Sequence, residues 1–496
     1  MFYRILLFLF CSAVIGCGSA DARAENTTIE EIIRLMLTQK DNYFYLDVAH
    51  YPKERKELPI GIFDSGTGGL TVFNSIIKLD AFNNVDHTDG GDHISDFKGE
   101  KFIYLGDLAN MPYGNYHKES KDALLEEHII KDVQFLLSNK YYPDAHATTY
   151  STDKPPVKSI VIACNTATAY GTEKIKLLMD RAGLDIKVIG VIDAGGEAAL
   201  EHFTKGDKGI IGVLATAGTV SSGGYEKALR RIAGEKQLDA EIEVVAQGGT
   251  GIAEAIDGDT DYYDPQTVGL NPNYKGPAAG AEDGINVSLL DMYNFDFSDA
   301  KMLCDTKNTS GCSGMQINDP VNYMRFHLVS LLEKVRASNT RNKLKVLILG
   351  CTHYPYLKQD IKLIFNELYQ YRSADGEYRY RPYMEKNISL IDPAQNTAVE
   401  LYEHIKEKHL FATGNNLLES ELYISVPNPD NRNNVIDTAG KFPYSYKYGR
   451  IPGRLQEYVK RVPMTGGMID TITLRRIREQ MPSIYQLLDA AEEVEN

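Results

Sequence analysis

The chain has 496 residues, with 53 Lys and Arg against 68 Asp and Glu, a formal net charge of −15. That balance disfavours nucleic acid as a partner, because neutralising phosphates requires an excess of basic side chains. With 43% hydrophobic and 24% charged residues the composition is that of soluble globular domains; it excludes a disordered or fibrous chain, and the length predicts more than one domain.

The first element in chain order is an apolar run, Ile5 to Gly16, behind the single basic residue Arg4. It is too short to span a bilayer and reads as a secretory signal over 1–24. Val14-Ile15-Gly16-Cys17 resembles a bacterial lipobox, which makes Cys17 the lipid-bearing residue; Ala22-Arg23-Ala24 offers an ordinary cleavage site instead, and an uncleaved anchor is a third reading. All three place the folded part outside the cytoplasm, in the periplasm or as a membrane-anchored lipoprotein that meets the membrane only through its N-terminus. Residues 25–58 read as a linker and an accessory helix.

Short β-branched runs followed by helix-like stretches then recur. Strands are predicted at Ile60 to Asp64, Phe102 to Asp107, Ser159 to Cys164, Lys187 to Ile192, Gly209 to Leu214, Ile242 to Ala246, Val346 to Cys351 and Ile388 to Asp392. Near-continuous apolar strands alternating with amphipathic helices mean parallel-type sheets covered on both faces, an α/β fold whose ligands bind outside the carboxyl ends of the strands. Ile60 to Thr67 is echoed by Ile211 to Thr219, and Val161 to Thr166 by Leu347 to His353, so two pseudo-symmetric lobes with a cleft between them are expected. Lobe 1 begins over 59–170 and lobe 2 over 171–256, followed by a Gly-, Asp- and Tyr-rich insertion at 257–320. Lobe 2 resumes over 321–365, a Tyr- and Arg-rich insertion fills 366–387, 388–410 returns to lobe 1, and 411–496 is a C-terminal extension.

The glycine-rich Asp64-Ser65-Gly66-Thr67-Gly68-Gly69 follows a strand and precedes a helix, but it lacks the third glycine of a dinucleotide fingerprint and the Lys-Ser/Thr of a P-loop. What remains is a tight turn whose N–H groups suit a small anion such as a carboxylate, or merely a connection. No metal motif stands out; His404 and His409 fall on poorly matched faces of a helix. Cys304 and Cys312, eight positions apart, are a disulfide or two free thiols in an oxidising compartment. Cys164 and Cys351 would each, alone, be ordinary buried cysteines. As a pair they both end apolar strands and both precede hydroxyl or amide side chains. A thiol facing a helix N-terminus is expected to have a depressed pKa.

Ile60 to Val72, Gly106 to Gly114, Ile160 to Gly171, Val188 to Asp193, Ile211 to Val220 and Leu347 to Leu357 together resemble the glutamate racemase branch of the aspartate/glutamate racemase family. The resemblance spans roughly Ile60 to Glu400, interrupted by the insertions. It implies catalysis without pyridoxal phosphate, metal or other cofactor. Two thiols flank Cα, one removing the proton while the other delivers one, with Cys164 facing the D-substrate and Cys351 the L-substrate. Asp64 and His353 would relay protons or orient the thiols, and Asp107 would help or brace a loop. Ser65, Asn165, Thr166, Thr352 and the backbone around Pro112, Tyr113 and Gly114 would bind the carboxylates of a small acidic amino acid, with Asp64 a candidate acceptor for its amino group. Where the family carries a Glu after the sixth strand this chain offers Ile256-Asp257-Gly258, and Asp193-Ala194-Gly195 replaces a Pro-Gly turn. Glutamate is the leading substrate, with aspartate or a broader set as alternatives. The competing class is an acidic amino-acid binding lipoprotein without turnover, and a homodimer is left open. Such racemases feed peptidoglycan and cell wall synthesis in the cytoplasm, so an exported one points to D-amino-acid production or recovery outside it.

Overall fold

The computed structural model describes residues 29–495 apart from 268, 282, 307–311, 313 and 339. The expected signal segment, with Cys17, lies outside the described residues. No helix among the described residues is long and apolar enough to cross a membrane.

The main chain builds two sheets. The first has the order β12-β11-β2-β1-β3-β4, from β1 (Ile60–Asp64), β2 (Phe102–Gly106), β3 (Ser159–Ile162), β4 (Lys187–Gly190), β11 (Glu421–Pro427) and β12 (Val459–Pro463). The second has the order β10-β9-β5-β6, from β5 (Lys208–Ala215), β6 (Glu241–Gly248), β9 (Leu344–Gly350) and β10 (Met384–Ile391). Every pair is parallel except β11 with β12. β1, β2 and β3 are buried along their whole length, as strands covered by helices on both faces must be. A short antiparallel pair, β7 (Met302–Cys304) with β8 (Met315–Ile317), lies within the 257–320 insertion, where Cys304 and Cys312 are joined as a disulfide.

The expected duplication is visible in the strand order. Reading 2-1-3-4 in the first sheet against 6-5-9-10 in the second matches β1 with β5 and β3 with β9, the two pairs whose sequences echo each other. Each sheet has its own core, with Ile62, Val161 and Phe135 in the first and Leu347, Val329 and Ile361 on one face of the second.

The segment boundaries differ from the sequence reading in three places. β4 pairs with β3, so the first sheet runs past residue 171 before the chain crosses over. β10 belongs to the second sheet, and only the following helix Pro393–Glu407 joins the first core, through Ala398, Leu401 and Tyr402. The stretch 411–496 is not appended to lobe 1 but completes it. β11 pairs with β2, and Ile484, Leu487 and Leu488 of the last helix enter the first core together with Ile29, Ile32, Ile33 and Met36 of the accessory helix.

Candidate active site

The carboxyl ends of β1, β3, β5 and β9 open on a single cleft of about 880 Å³, lined among others by Asp64, Ser65, Cys164, Asn165, Thr166, Thr216, Cys351, Thr352 and His353. Pro112, Tyr113 and Gly114 form part of its wall. Each sequence-predicted site residue of the two lobes therefore reaches the same space, whereas Asp107 does not line it. Asp107 is fully buried behind the wall and accepts both contacts from Asn110 Nδ2, at 2.9 and 3.0 Å, so it braces the loop.

Cys164 follows β3 and caps the helix Asn165–Ala182, its Sγ accepting the Ala167 N–H at 3.4 Å while the thiol reaches Ser65 Oγ at 3.6 Å. Cys351 follows β9, and its Sγ lies 3.6 Å from His353 Nδ1. Both cysteines are free and buried. The helix N-terminus does not depress the Cys164 thiol as expected. Burial, and after it the Asp64 carboxylate, push it up to about 12, outweighing the two hydrogen bonds. Asp64 is likewise lifted above the ordinary carboxylate range by burial, although its Oδ2 accepts N–H groups from Gly66 at 3.0 Å and Gly69 at 2.9 Å. Burial works against charge on His353, but the hydrogen bond to Cys351 and the fields of Cys351, Asp64 and Glu254 raise its pKa. An imidazole held there can pass a proton to or from the Cys351 sulfur.

The two lobes meet around these groups with little room. A Cβ on Gly68 would lie 3.0 Å from Thr352 Oγ1 and 3.5 Å from His353 Cε1, so the glycine turn of lobe 1 abuts the His353 loop of lobe 2. Gly218 approaches Gly114 backbone to backbone, a Cβ there falling 2.7 Å from Gly114 Cα. Tyr225 spans the interface: its ring packs on Gly350, next to Cys351, and its hydroxyl donates to Asn165 Oδ1 at 2.8 Å, next to Cys164.

Several contributors to the cleft escape the sequence motifs. Glu254 lines it, acts electrostatically on His353 and accepts the Gly251 N–H at 3.0 Å. The local signal for it was the Gly249-Thr250-Gly251 turn, which starts a helix whose third residue is Glu254. Asp193 lies off the cleft and pairs with Arg231 at 2.6 Å. Lys275 of the insertion and Ile469, Asp470 and Thr473 of the C-terminal segment also line the cleft, and no local pattern marks them.

No family model matches the chain. A stretch of 179 residues, 36% of the chain, is 35% identical to the glutamate racemase of Oceanobacillus iheyensis and covers 49% of that protein. Over 180 residues it is 36% identical to a glutamate racemase of Streptococcus pyogenes serotype M5, covering 51% of it. Among solved structures, glutamate racemase isoform RacE1 from Bacillus anthracis aligns over 74% of this chain and 88% of that one, at 23% identity and a TM-score of 0.41. The chain spans about half the length of the curated relatives it matches, and over that stretch it is similar to glutamate racemases.

Proposed function

We propose that this protein interconverts L- and D-glutamate by proton transfer at Cα, using Cys164 and Cys351 as the two bases. The observation that carries the reading is the pairing of two free, buried thiols at matching strand ends of two related sheets, both lining one cleft. A pure binder has no use for the second thiol. One thiolate removes the α-proton and the thiol of the other lobe returns a proton from the opposite side, Cys164 serving the D-enantiomer and Cys351 the L-enantiomer. His353 exchanges protons with Cys351, Asp64 accepts the substrate ammonium, and Ser65 meets the Cys164 thiol and helps bind a carboxylate. N–H and hydroxyl groups of Asn165, Thr166, Thr352 and the Pro112 to Gly114 wall hold the carboxylates. Closing a desolvated cleft around them strengthens each interaction.

The test is incubation with L- or D-glutamate in deuterated water without added cofactor. Appearance of the other enantiomer, deuterated at Cα, supports the reading; binding of glutamate with no exchange reduces the protein to an acidic amino-acid binder. Running aspartate beside glutamate sets the substrate range.

The reading includes export. Its support is the Ile5 to Gly16 run followed by Cys17, together with the Cys304–Cys312 disulfide, a bond that persists in oxidising compartments. A lipid on Cys17 would hold the enzyme at the membrane, and its product would enter cell wall metabolism from the outer side. Fractionation, with mass spectrometry of the mature N-terminus, tests this; an unprocessed chain in the cytoplasm would contradict it.

A further inference from the structure

The wall formed by Asn110 to Gly114 has little structure of its own, yet it must present its backbone to the substrate. Four side chains from one distant stretch hold it. Lys447 Nζ donates to the Met111 carbonyl at 2.5 Å and Tyr448 Oη to the Pro112 carbonyl at 3.2 Å. Arg450 Nη2 donates to Asn110 Oδ1 at 2.7 Å, and Asn110 in turn donates to Asp107. Arg461 Nη2 donates to Asp132 Oδ1 at 2.8 Å. The Tyr113 hydroxyl lies 2.7 Å from the other oxygen of Asp132 and 2.5 Å from Asp107 Oδ2.

These partners are sealed from water. Asp107, Tyr113, Asp132 and Arg461 are each no more than 1% exposed and Arg450 is 4% exposed. One tyrosine hydroxyl has a single hydrogen, so it cannot donate to two carboxylates at once. One of the two carboxylates must therefore bring a proton of its own, and burial, with Asp107 beside it, lifts the pKa of Asp132 to about 8. Arg461 holds one oxygen of Asp132 while the Tyr113 hydroxyl meets the other. Charged groups buried to this degree are costly.

We propose that Arg450 and Arg461 are positioning residues for the cleft: the Lys447 to Arg461 stretch clamps the Asn110 to Gly114 wall, through Asn110 and through Asp132 and Tyr113, in the shape that receives the substrate carboxylate. This rests on the racemase reading for the identity of the substrate, but not for the clamp itself. β12, which carries Arg461, lies beyond the motifs between Ile60 and Glu400, while Asp107, Asn110, Tyr113 and Asp132 lie among them.

The test uses the full chain with Arg461→Met, Tyr113→Phe and the double variant. Hydrogen exchange of the 107–116 amides is read without substrate, and KM and kcat are read separately. Expected are loop amides exchanging about tenfold faster or more in Arg461→Met with β5 and β9 amides unchanged, KM raised about fivefold with kcat within about twofold, and a double variant no worse than Tyr113→Phe alone. Loop amides at the wild-type rate, or effects of the two substitutions that simply add, would overturn the proposal. If Arg461→Met does not fold, Tyr113→Phe, which removes only the hydroxyl link, gives the same decision from its loop amides. If the wild-type protein exchanges no α-proton, the racemase reading fails while the amide measurement still decides the clamp.

Discussion

The Cys164 thiol is lifted from 9.0 to about 12, first by burial and then by Asp64, and this gives a prediction with a definite size. Three units correspond to ~4 kcal/mol against the thiolate. At pH 9 about one Cys164 side chain in a thousand would be ionised in the free protein, against about half for a thiol left at 9.0. Alkylation by iodoacetamide requires the thiolate, so its rate at Cys164 should climb about tenfold per pH unit from pH 7 to at least pH 10, with no plateau. The assay is timed alkylation at each pH, quenched and read by mass spectrometry on the Cys164 peptide. Asp64→Asn keeps an oxygen for the Gly66 and Gly69 N–H groups but removes the charge, so at fixed alkaline pH it should speed alkylation of Cys164, by up to about tenfold. A plateau with a midpoint at or below pH 9, or an Asp64→Asn rate equal to wild type, would refute the claim that burial and Asp64 set this thiol. Under the proposed racemase reading, Cys164 would rest as a thiol, ready to donate, and would become a base only when a cationic substrate ammonium entered beside it.

Other consequences can be measured directly. Tyr225→Phe leaves Asn165 Oδ1 without its buried donor and should cost about 1–3 kcal/mol in denaturant unfolding, whereas an effect under about 0.3 kcal/mol would mean the hydroxyl bridges nothing. Gly218→Ala places a methyl against the Gly114 backbone, so the lobes must separate locally; a loss of about 1–3 kcal/mol and a raised KM are expected, and wild-type stability and KM would count against the close approach. Lys154 is buried with its Nζ 2.5 Å from the Ser138 carbonyl, and burial depresses its pKa to about 7. The unfolded chain then binds more protons than the folded one between about pH 7 and 10.5, so stability should rise with pH across that window, by up to about 5 kcal/mol from this group. Lys154→Met should lose that slope, and equal slopes in the two proteins would contradict it.

The repeating part of the fold was legible because hydropathy carries it. All eight predicted strands are present; β1, β2 and β3, buried along their whole length, read as the clearest apolar runs. β11 and β12 were not predicted. In β12 the sequence Val459-Lys460-Arg461-Val462-Pro463 buries Lys460 and Arg461, whose charges are met by Asp430 and Asp132 and by carbonyls from elsewhere in the chain. A strand that satisfies buried charge through distant partners has no local signature. The same reason separates the site residues that were found from those that were missed. Asp64, Cys164, Cys351 and His353 sit in strand-end motifs, whereas Lys275 and Asp470 reach the cleft only through tertiary folding. The expected low thiol pKa failed because a helix N-terminus can be read locally, while burial and the neighbouring Asp64 cannot.

The central claim is that both sulfurs act on one stereocentre. Its most direct measurement is solvent deuterium incorporation at Cα of glutamate by the wild-type protein, Cys164→Ala and Cys351→Ala, each shown to be folded by its thermal transition. The account predicts racemisation with incorporation by the wild-type protein and none of either by the two variants. Racemisation at the wild-type rate by either variant would contradict it.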